Sequence, residues 1–259
     1  MNHLDDAEFR SFCVVVPMFN EEAGAELCVR RICEVLSSIP FRCALIAVDD
    51  GSKDSTAAIL DRQSQGLSNL AVIHHATNRG YGAALGTGVA YAIEAGFNYV
   101  LFMDSDLTND PDDIPRFVIK MKGGYDVIKA TRYRDGGTVK GVPFFRVTIS
   151  RVGNWIARRL FGLPISDCTN GFRAVRSSLL DRMTLTEPKF PIIMEELYYS
   201  AFLTRRFAEV PVTLTNRRED QRPTSFVYRP RVFFNYLKYP LKKFLGVRPH
   251  GLLEGEPVR

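Results

Sequence analysis

"YVLFMDSDLTND", residues 99–110, is apolar for its first five residues and then turns abruptly acidic at Asp104-Ser105-Asp106. A short continuous apolar run closed by turn residues predicts a strand covered on both faces. Two carboxylates therefore stand where that strand ends. The same pattern recurs on either side. "FCVVVPMF" runs into Asn20-Glu21-Glu22, "CALIAVDD" into Gly51-Ser52, and "YDVIKATR" closes on Arg132, while "NLAVIHH" ends in His74-His75.

Between these strands lie segments of helical length: "EEAGAELCVRRICEVLSSI", "DSTAAILDRQSQ" and "GAALGTGVAYAIEAG". Ser52 and Asp54 are placed to cap the second of them. Repeated β-α-β units predict an α/β fold with a Rossmann-like, doubly wound, mainly parallel sheet. Such sheets take ligands at the carboxyl ends of their strands. Four strand ends carrying acidic, amide or arginine groups to one rim point to a ligand site there.

Composition bounds the remaining options. With 259 residues, 46% hydrophobic, the chain can bury a core without covalent staples. Cys13, Cys28, Cys33, Cys43 and Cys168 show no CxxC spacing, so reduced buried thiols of a cytosolic protein are expected. "MNHLDDAEFR" lacks the apolar stretch of a signal peptide, and no apolar run approaches the length of a membrane span.

After residue 132 the pattern changes. "YRDGGTVKGVP" reads as a loop. "PFFRVTISRVGNWIARRLFGLP" gives a helix with Phe145, Ile149, Val152, Ile156 and Leu160 on one side and Arg146, Arg151, Arg158 and Arg159 mostly off it. "ISDCTNGFRAVR" is a polar turn leading back to a strand, and "IIMEELYYSAFLTRR" is another helix. Two regions are expected: residues 1–215 as the catalytic domain, and 216–259 as a basic, aromatic C-terminal extension. In that extension Phe233, Leu237, Leu241, Phe244 and Leu245 recur at helical spacing, Lys238, Lys242 and Lys243 fall on other faces, and Pro240 is expected to kink the helix. The segment suits a membrane interface or a packed amphipathic helix. Its cations follow an aliphatic stripe with no groove-reading motif, so no nucleic-acid partner is expected.

Paired carboxylates at a turn are hard oxygen ligands for Mg2+ or Mn2+, which commonly bridge protein and diphosphate. Asp104 and Asp106 are the predicted metal ligands, with Ser105 between them. "GYGAAL" imitates a dinucleotide fingerprint but follows the third strand and lacks the third glycine, which argues against an oxidoreductase. His74 and His75 read as turn histidines. Asp110, Asp112 and Asp113 read as caps of the next helix.

In order, "VVVPMFNEE", "AVDDGSKDST", "NRGYGAALGTG" and "YVLFMDSDL" resemble the successive motifs of family 2 glycosyltransferases with the GT-A fold. "RLFGLPISDCTNGFRAVR" and "FPIIMEELYYSA" are similar to stretches of the dolichyl- and polyprenyl-phosphate mannosyl- and glucosyltransferase branch. The resemblance implies that Pro17, Phe19 and Glu21 contact base and ribose, as do Val48 and Asp50. It implies that Asp104, Ser105 and Asp106 hold metal and diphosphate, Asp106 being the more direct ligand. Arg132 matches an arginine approaching the donor sugar or phosphates. Near "RREDQRPTSF", Ser225 is followed by Phe226 where the family commonly has lysine, so Arg218 or Arg222 is expected to meet the phosphates instead.

The implied reaction is metal-dependent, inverting transfer of mannose or glucose from GDP-mannose or a UDP-hexose to a polyprenyl phosphate. It would occur on the cytoplasmic face of a membrane, with the protein docked peripherally or anchored by a separate membrane subunit. A phosphate acceptor is already ionised and needs no strong base. A hydroxyl acceptor would want one, and Glu195 or Glu196 is the candidate. A non-catalytic nucleotide- or membrane-binding protein of the same fold is the third reading, against which the Asp104/Asp106 pair and Arg132 weigh.

Overall fold

The computed structural model of the chain describes residues 9–134, 136–141, 144–215 and 230–252. Five strands follow the predicted runs: β1 (Ser11–Met18), β2 (Arg42–Asp49), β3 (Leu70–His74), β4 (Tyr99–Phe102) and β5 (Val127–Thr131). Helices α1 (Ala25–Ser37), α2 (Thr56–Gly66), α3 (Tyr81–Glu94) and α4 (Ile114–Lys122) alternate with them. Downstream lie β6 (Thr138–Val139), α5 (Phe144–Phe161), β7 (Arg173–Arg176), α6 (Ser177–Leu180), α7 (Ile192–Leu203), β8 (Phe207–Pro211), β9 (Thr213–Leu214) and α8 (Pro230–Phe244).

Seven strands form one sheet in the order β3-β2-β1-β4-β7-β5-β8, and β6 pairs with β9 apart from it. β1 is parallel to β2 and β4, β2 to β3, and β5 to β8. β7 alone runs antiparallel, wedged between β4 and β5. Its direction matters for the site. Its amino end comes to the rim where β4 and β5 finish, pairing Arg173 with both Phe102 and Lys129.

Alternation along the central strand supplies both cores. Phe12, Val14, Val16 and Met18 of β1 pack with α1, α2 and α4, while Cys13 and Val15 pack towards α3 and α5 to α8. Burying both faces of the sheet accounts for the continuous apolar strands. All five cysteines are unpaired thiols, four of them buried.

Two local readings are refined. The N-cap of α2 is Ser55, whose side chain makes no cap bond; Asp54 Oδ1 accepts from Thr56 N (3.0 Å) and Thr56 Oγ1 (2.6 Å) instead. Asp110 caps a short 3-10 turn at Pro111–Asp113 and accepts from Asp112 N at 3.1 Å. The described part of the extension, residues 230–252, packs against the rest. α8 packs on α5 and α7, and Tyr239 is 4% exposed within the core. Its helix runs through Pro240 without a break.

Candidate active site

The loops after β1 and β2 are laced together. Asn20 N donates to Ser52 Oγ (2.9 Å), Lys53 N to Asn20 Oδ1 (2.8 Å), Glu21 N to Thr56 Oγ1 (2.9 Å) and Ser55 N to Glu22 Oε2 (3.1 Å). Asn20 takes φ +52°, a left-handed turn that asparagine tolerates. These bonds make one rigid rim from two sequence motifs. Pro17 and Phe19 are half-buried there, and Glu21 is buried with its carbonyl accepting the first N–H groups leading into α1.

Val48 and Asp50 stand at the end of β2 with their side chains engaged inside the protein. Val48 is fully buried in the core. Asp50 turns inward: Oδ1 takes His75 Nδ1 (2.7 Å) and Arg79 N (2.8 Å), and Oδ2 takes Gly80 N (2.8 Å). Asp49 likewise accepts from Ser52 N at 3.0 Å and meets His74 Nδ1 at 2.9 Å. Neither histidine is a plain turn residue. β2 and β3 pair Asp49 with His74 in register, so each imidazole falls beside a carboxylate. Burial opposes protonation of His74, but its bonds to Asp49 and Asp61 prevail and its pKa is raised.

β4 delivers Asp104, Ser105 and Asp106 to this rim. Asp104 is half-buried, and its Oδ1 accepts from Tyr81 Oη at 3.0 Å. Asp106 Oδ1 accepts from Thr108 N (3.0 Å) and Thr108 Oγ1 (2.8 Å). Leu107 between them sits at φ +53°, a sparsely populated conformation for a bulky side chain and of the kind found at ligand sites. The buried Cys28 thiol reports how the acids converge. Burial pushes its pKa up, and the charges of Asp106, Glu21 and Asp104 push it further.

Arg132, just past β5, points its fork into the 166–170 turn. Nε donates to Asp167 Oδ2 at 2.7 Å, and Nη2 donates to Asp167 Oδ1 at 2.9 Å and Thr169 Oγ1 at 3.0 Å. Burial alone would raise the Asp167 carboxyl, but the Arg132 guanidinium outweighs it and holds it lowered.

The two glutamates are not at a solvent-facing helix start. Glu196 is fully buried and receives both prongs of Arg173 at 2.7 Å. Glu195 accepts from Thr186 N (2.9 Å), Thr186 Oγ1 (2.8 Å) and Glu187 N (2.8 Å), holding the loop before α7. Both serve as internal acceptors, which argues against either as a general base. Arg218, Arg222, Ser225, Phe226 and the side chain of Phe233 lie outside the described residues.

Residues absent from the sequence reading complete the site. Arg173 also donates to Gly171 O at 2.9 Å and lies 4.1 Å from the centroid of the Phe102 ring. Gly171 abuts Asp104 so closely that a Cβ there would sit 3.0 Å from Asp104 Oδ2. Burial and then the charge of Asp104 raise the pKa of Tyr236 of α8. A helix apolar on every side, as "IIMEELYYSAFL" is, must be buried, and its glutamates must then find partners. That was the available signal for Arg173–Glu196.

The donor set at Asp104 and Asp106 is hard carboxylate oxygen. Among the described residues no group of three or more His, Cys, Asp or Glu is arranged to hold a metal. The pair therefore fits a cation that brings its remaining ligands as water and phosphate, and Gly171 leaves the space that a side chain would fill.

Comparison with known proteins bears on this geometry. Residues 13–184 match the family model described as Glycosyl transferase family 2. A polyprenol monophosphomannose synthase of Mycolicibacterium smegmatis is 30% identical over 209 residues, covering 79% of this chain and 77% of that protein. An undecaprenyl-phosphate 4-deoxy-4-formamido-L-arabinose transferase of Salmonella choleraesuis is 28% identical over 228 residues, 86% of this chain but 65% of the relative's length. Among solved structures, glucosyl-3-phosphoglycerate synthase from Mycobacterium tuberculosis, crystallised with Mn2+, UDP and glucosyl-3-phosphoglycerate, superposes with a TM-score of 0.62 at 21% identity. That match covers 94% of this chain and 82% of the other. The same synthase with Mg2+ and UDP gives 0.62 at 22% identity, again over 94% and 82%. At such identities the likeness concerns the fold.

Proposed function

The chain belongs to glycosyl transferase family 2, and on that premise we propose that it moves one hexose, mannose or glucose, from a nucleoside diphosphate sugar to a polyprenyl phosphate. The reaction is taken to be inverting, cation-dependent and located at the cytoplasmic face of a membrane. The named activities of the M. smegmatis and Salmonella relatives support the acceptor class.

One observation carries the reading. α8 brings Tyr236 near enough to the carboxylate site to feel the charge of Asp104, and it also presents an exposed apolar surface. Tyr236 stands within reach of the charge of Asp104, while Phe234 (74% exposed), Leu241, Phe244 and Leu245 of the same segment face outward. α5 packs beside α8 and adds Phe145, Ile149, Val152 and Trp155 to the exposed set, with Arg151, Arg158 and Arg159 exposed among them. Apolar groups flanked by cations suit the boundary between acyl chains and anionic headgroups. A phosphate headed by such a chain would reach the rim with its tail along this surface. No helix among the described residues is long and apolar enough to cross a membrane.

In this mechanism the laced loops after β1 and β2 hold the nucleoside, with Pro17, Phe19 and Glu21 at its edge. When bound, a divalent cation held by Asp104 and Asp106 would neutralise charge gathering on the departing diphosphate. Arg132 adds positive potential at the end of β5, shared with Asp167. An acceptor phosphate oxygen attacks the anomeric carbon in line, the bond to the diphosphate breaks, and a single displacement inverts the centre. An ionised phosphate needs no proton removed, which accords with Glu195 and Glu196 being held as internal acceptors.

The test uses purified protein, Mg2+ or Mn2+, a panel of labelled GDP- and UDP-hexoses, and a polyprenyl phosphate. Label should pass into organic solvent, and EDTA should stop it. Label transferred only to water-soluble hydroxyl acceptors would replace this reading.

A further inference from the structure

We propose that Tyr81 is a positioning residue for Asp104, and that the buried Asp50–His75 pair sets Tyr81 in place. The inference rests on the reading of Asp104 as a cation ligand. A carboxylate can rotate about its bond to Cβ, and a ligand group that rotates does not present a fixed oxygen. Tyr81 Oη, 3.0 Å from Asp104 Oδ1, fixes that rotation.

The tyrosine is itself held on three sides. Its ring lies on Phe190, with centroids 4.6 Å apart and planes at 31°. Gly171 crowds the hydroxyl from the turn before β7, where an added Cβ would sit 3.4 Å from Tyr81 Oη and 3.0 Å from Asp104 Oδ2. On the third side is the turn into α3. Tyr81 follows Gly80, whose φ of +99° suits glycine and strains other residues. Asp50 pins that turn by accepting from Arg79 N and Gly80 N, both at 2.8 Å. His75 steadies Asp50 in turn, bridging its Oδ1 (2.7 Å) to Thr87 Oγ1 of α3 (2.9 Å). Gly82 N closes the arrangement onto Pro188 O at 2.8 Å, in the segment that carries Phe190.

A chain of direct contacts thus runs from β2 and β3 through the α3 turn to the carboxylate on β4. A tyrosine phenol carries its proton throughout the neutral range and so donates to Asp104. Asp50 acquires a role that its inward orientation otherwise leaves unexplained. It supports the site from behind. Partners of this kind, which orient a metal ligand without touching the metal, typically cost 10–100-fold in metal affinity when removed.

The decisive measurement is Mn2+ binding followed by the loss of the free-ion EPR signal, with UDP or GDP present, in wild type, Tyr81→Phe and His75→Gln. Nucleotide binding in EDTA and thermal melting are measured alongside. Tyr81→Phe removes one oxygen and keeps the ring on Phe190. It is expected to weaken Mn2+ binding by about 10–100-fold, with cation-free nucleotide binding and melting temperature close to wild type. His75→Gln, one step further back, is expected to give a smaller loss of the same selective kind. Wild-type Mn2+ affinity in both folded variants overturns the proposal. A parallel fall in cation-free nucleotide binding also overturns it, because that is what general loosening would cause. Wild-type protein that takes up no Mn2+ with either nucleotide overturns the cation reading of Asp104, and this proposal with it.

Discussion

Glu196→Gln separates a buried structural anion from a catalytic base. The exchange keeps the shape of the side chain and removes its charge. Arg173, 1% exposed, would keep its cation inside the protein facing a neutral amide in place of two bonds of 2.7 Å. Removing one partner of a buried ion pair costs about 3–5 kcal/mol, far more than the pair contributes over an apolar replacement. Domain stabilities are about 5–15 kcal/mol, so the loss is a large share of the whole. At about 2–4 °C per kcal/mol for a chain of this size, the melting temperature should fall by about 6–20 °C. Urea titration and calorimetry read the loss. The double variant Glu196→Met with Arg173→Met, which leaves no orphaned charge, should recover much of it. A Glu196→Gln protein within about 1 kcal/mol of wild type, yet inactive, would refute the structural assignment and restore Glu196 as a base.

Asp106→Asn should reduce transfer by about two orders of magnitude or more, since a cation supplies several kcal/mol of charge stabilisation. Its melting temperature should hold, because an asparagine Oδ1 can still accept from Thr108; near-normal turnover would dismiss the metal role. Lys129 is fully buried, with Nζ donating to Asn170 O at 2.6 Å, and burial followed by the neighbouring Arg173 lowers its pKa from 10.5 to about 8. Its folded pKa is the depressed one, so the unfolded chain binds more protons between about pH 8 and 10.5, and stability should rise with pH across that window. Lys129→Met should be more stable than wild type near pH 7 by up to about 3 kcal/mol and lose that pH-dependent rise; parallel stability curves would contradict this. Leu241→Glu with Phe244→Glu should lower co-sedimentation with anionic vesicles without changing the melting temperature, as both side chains are exposed. Unchanged sedimentation would remove the membrane surface from the account. Point changes serve better here than truncation from residue 230, which would also strip Tyr239 from the core.

The amphipathic reading of the C-terminal half shows how far local pattern carries. The stripe of Phe145, Ile149 and Val152 was visible as periodicity, and the structure turns it outward, with Trp155 joining it. Periodicity locates a face. It does not say whether that face meets the core or the solvent. In the same way, Pro240 lies buried inside a continuous α8, where local propensity alone would disfavour a helix.

By itself the sequence determined the parallel β-α-β half and the delivery of Asp104 and Asp106 to a strand end. Both follow from short-range rules: continuous apolar strands, turn residues, and the shared direction of parallel strands. Only the tertiary structure decided which of the acidic groups are taken up by internal partners. Asp50 went to His75 and the α3 turn, Asp167 to Arg132, and Glu196 to Arg173. Those partners lie 25 to 35 residues away for the first two and 23 for the third. They meet because β7 enters the sheet antiparallel between β4 and β5 and because β2 and β3 pair in one register. Burying a charge is tolerated only beside its counter-charge, so the partner assignment is a property of the packed chain that no local stretch contains.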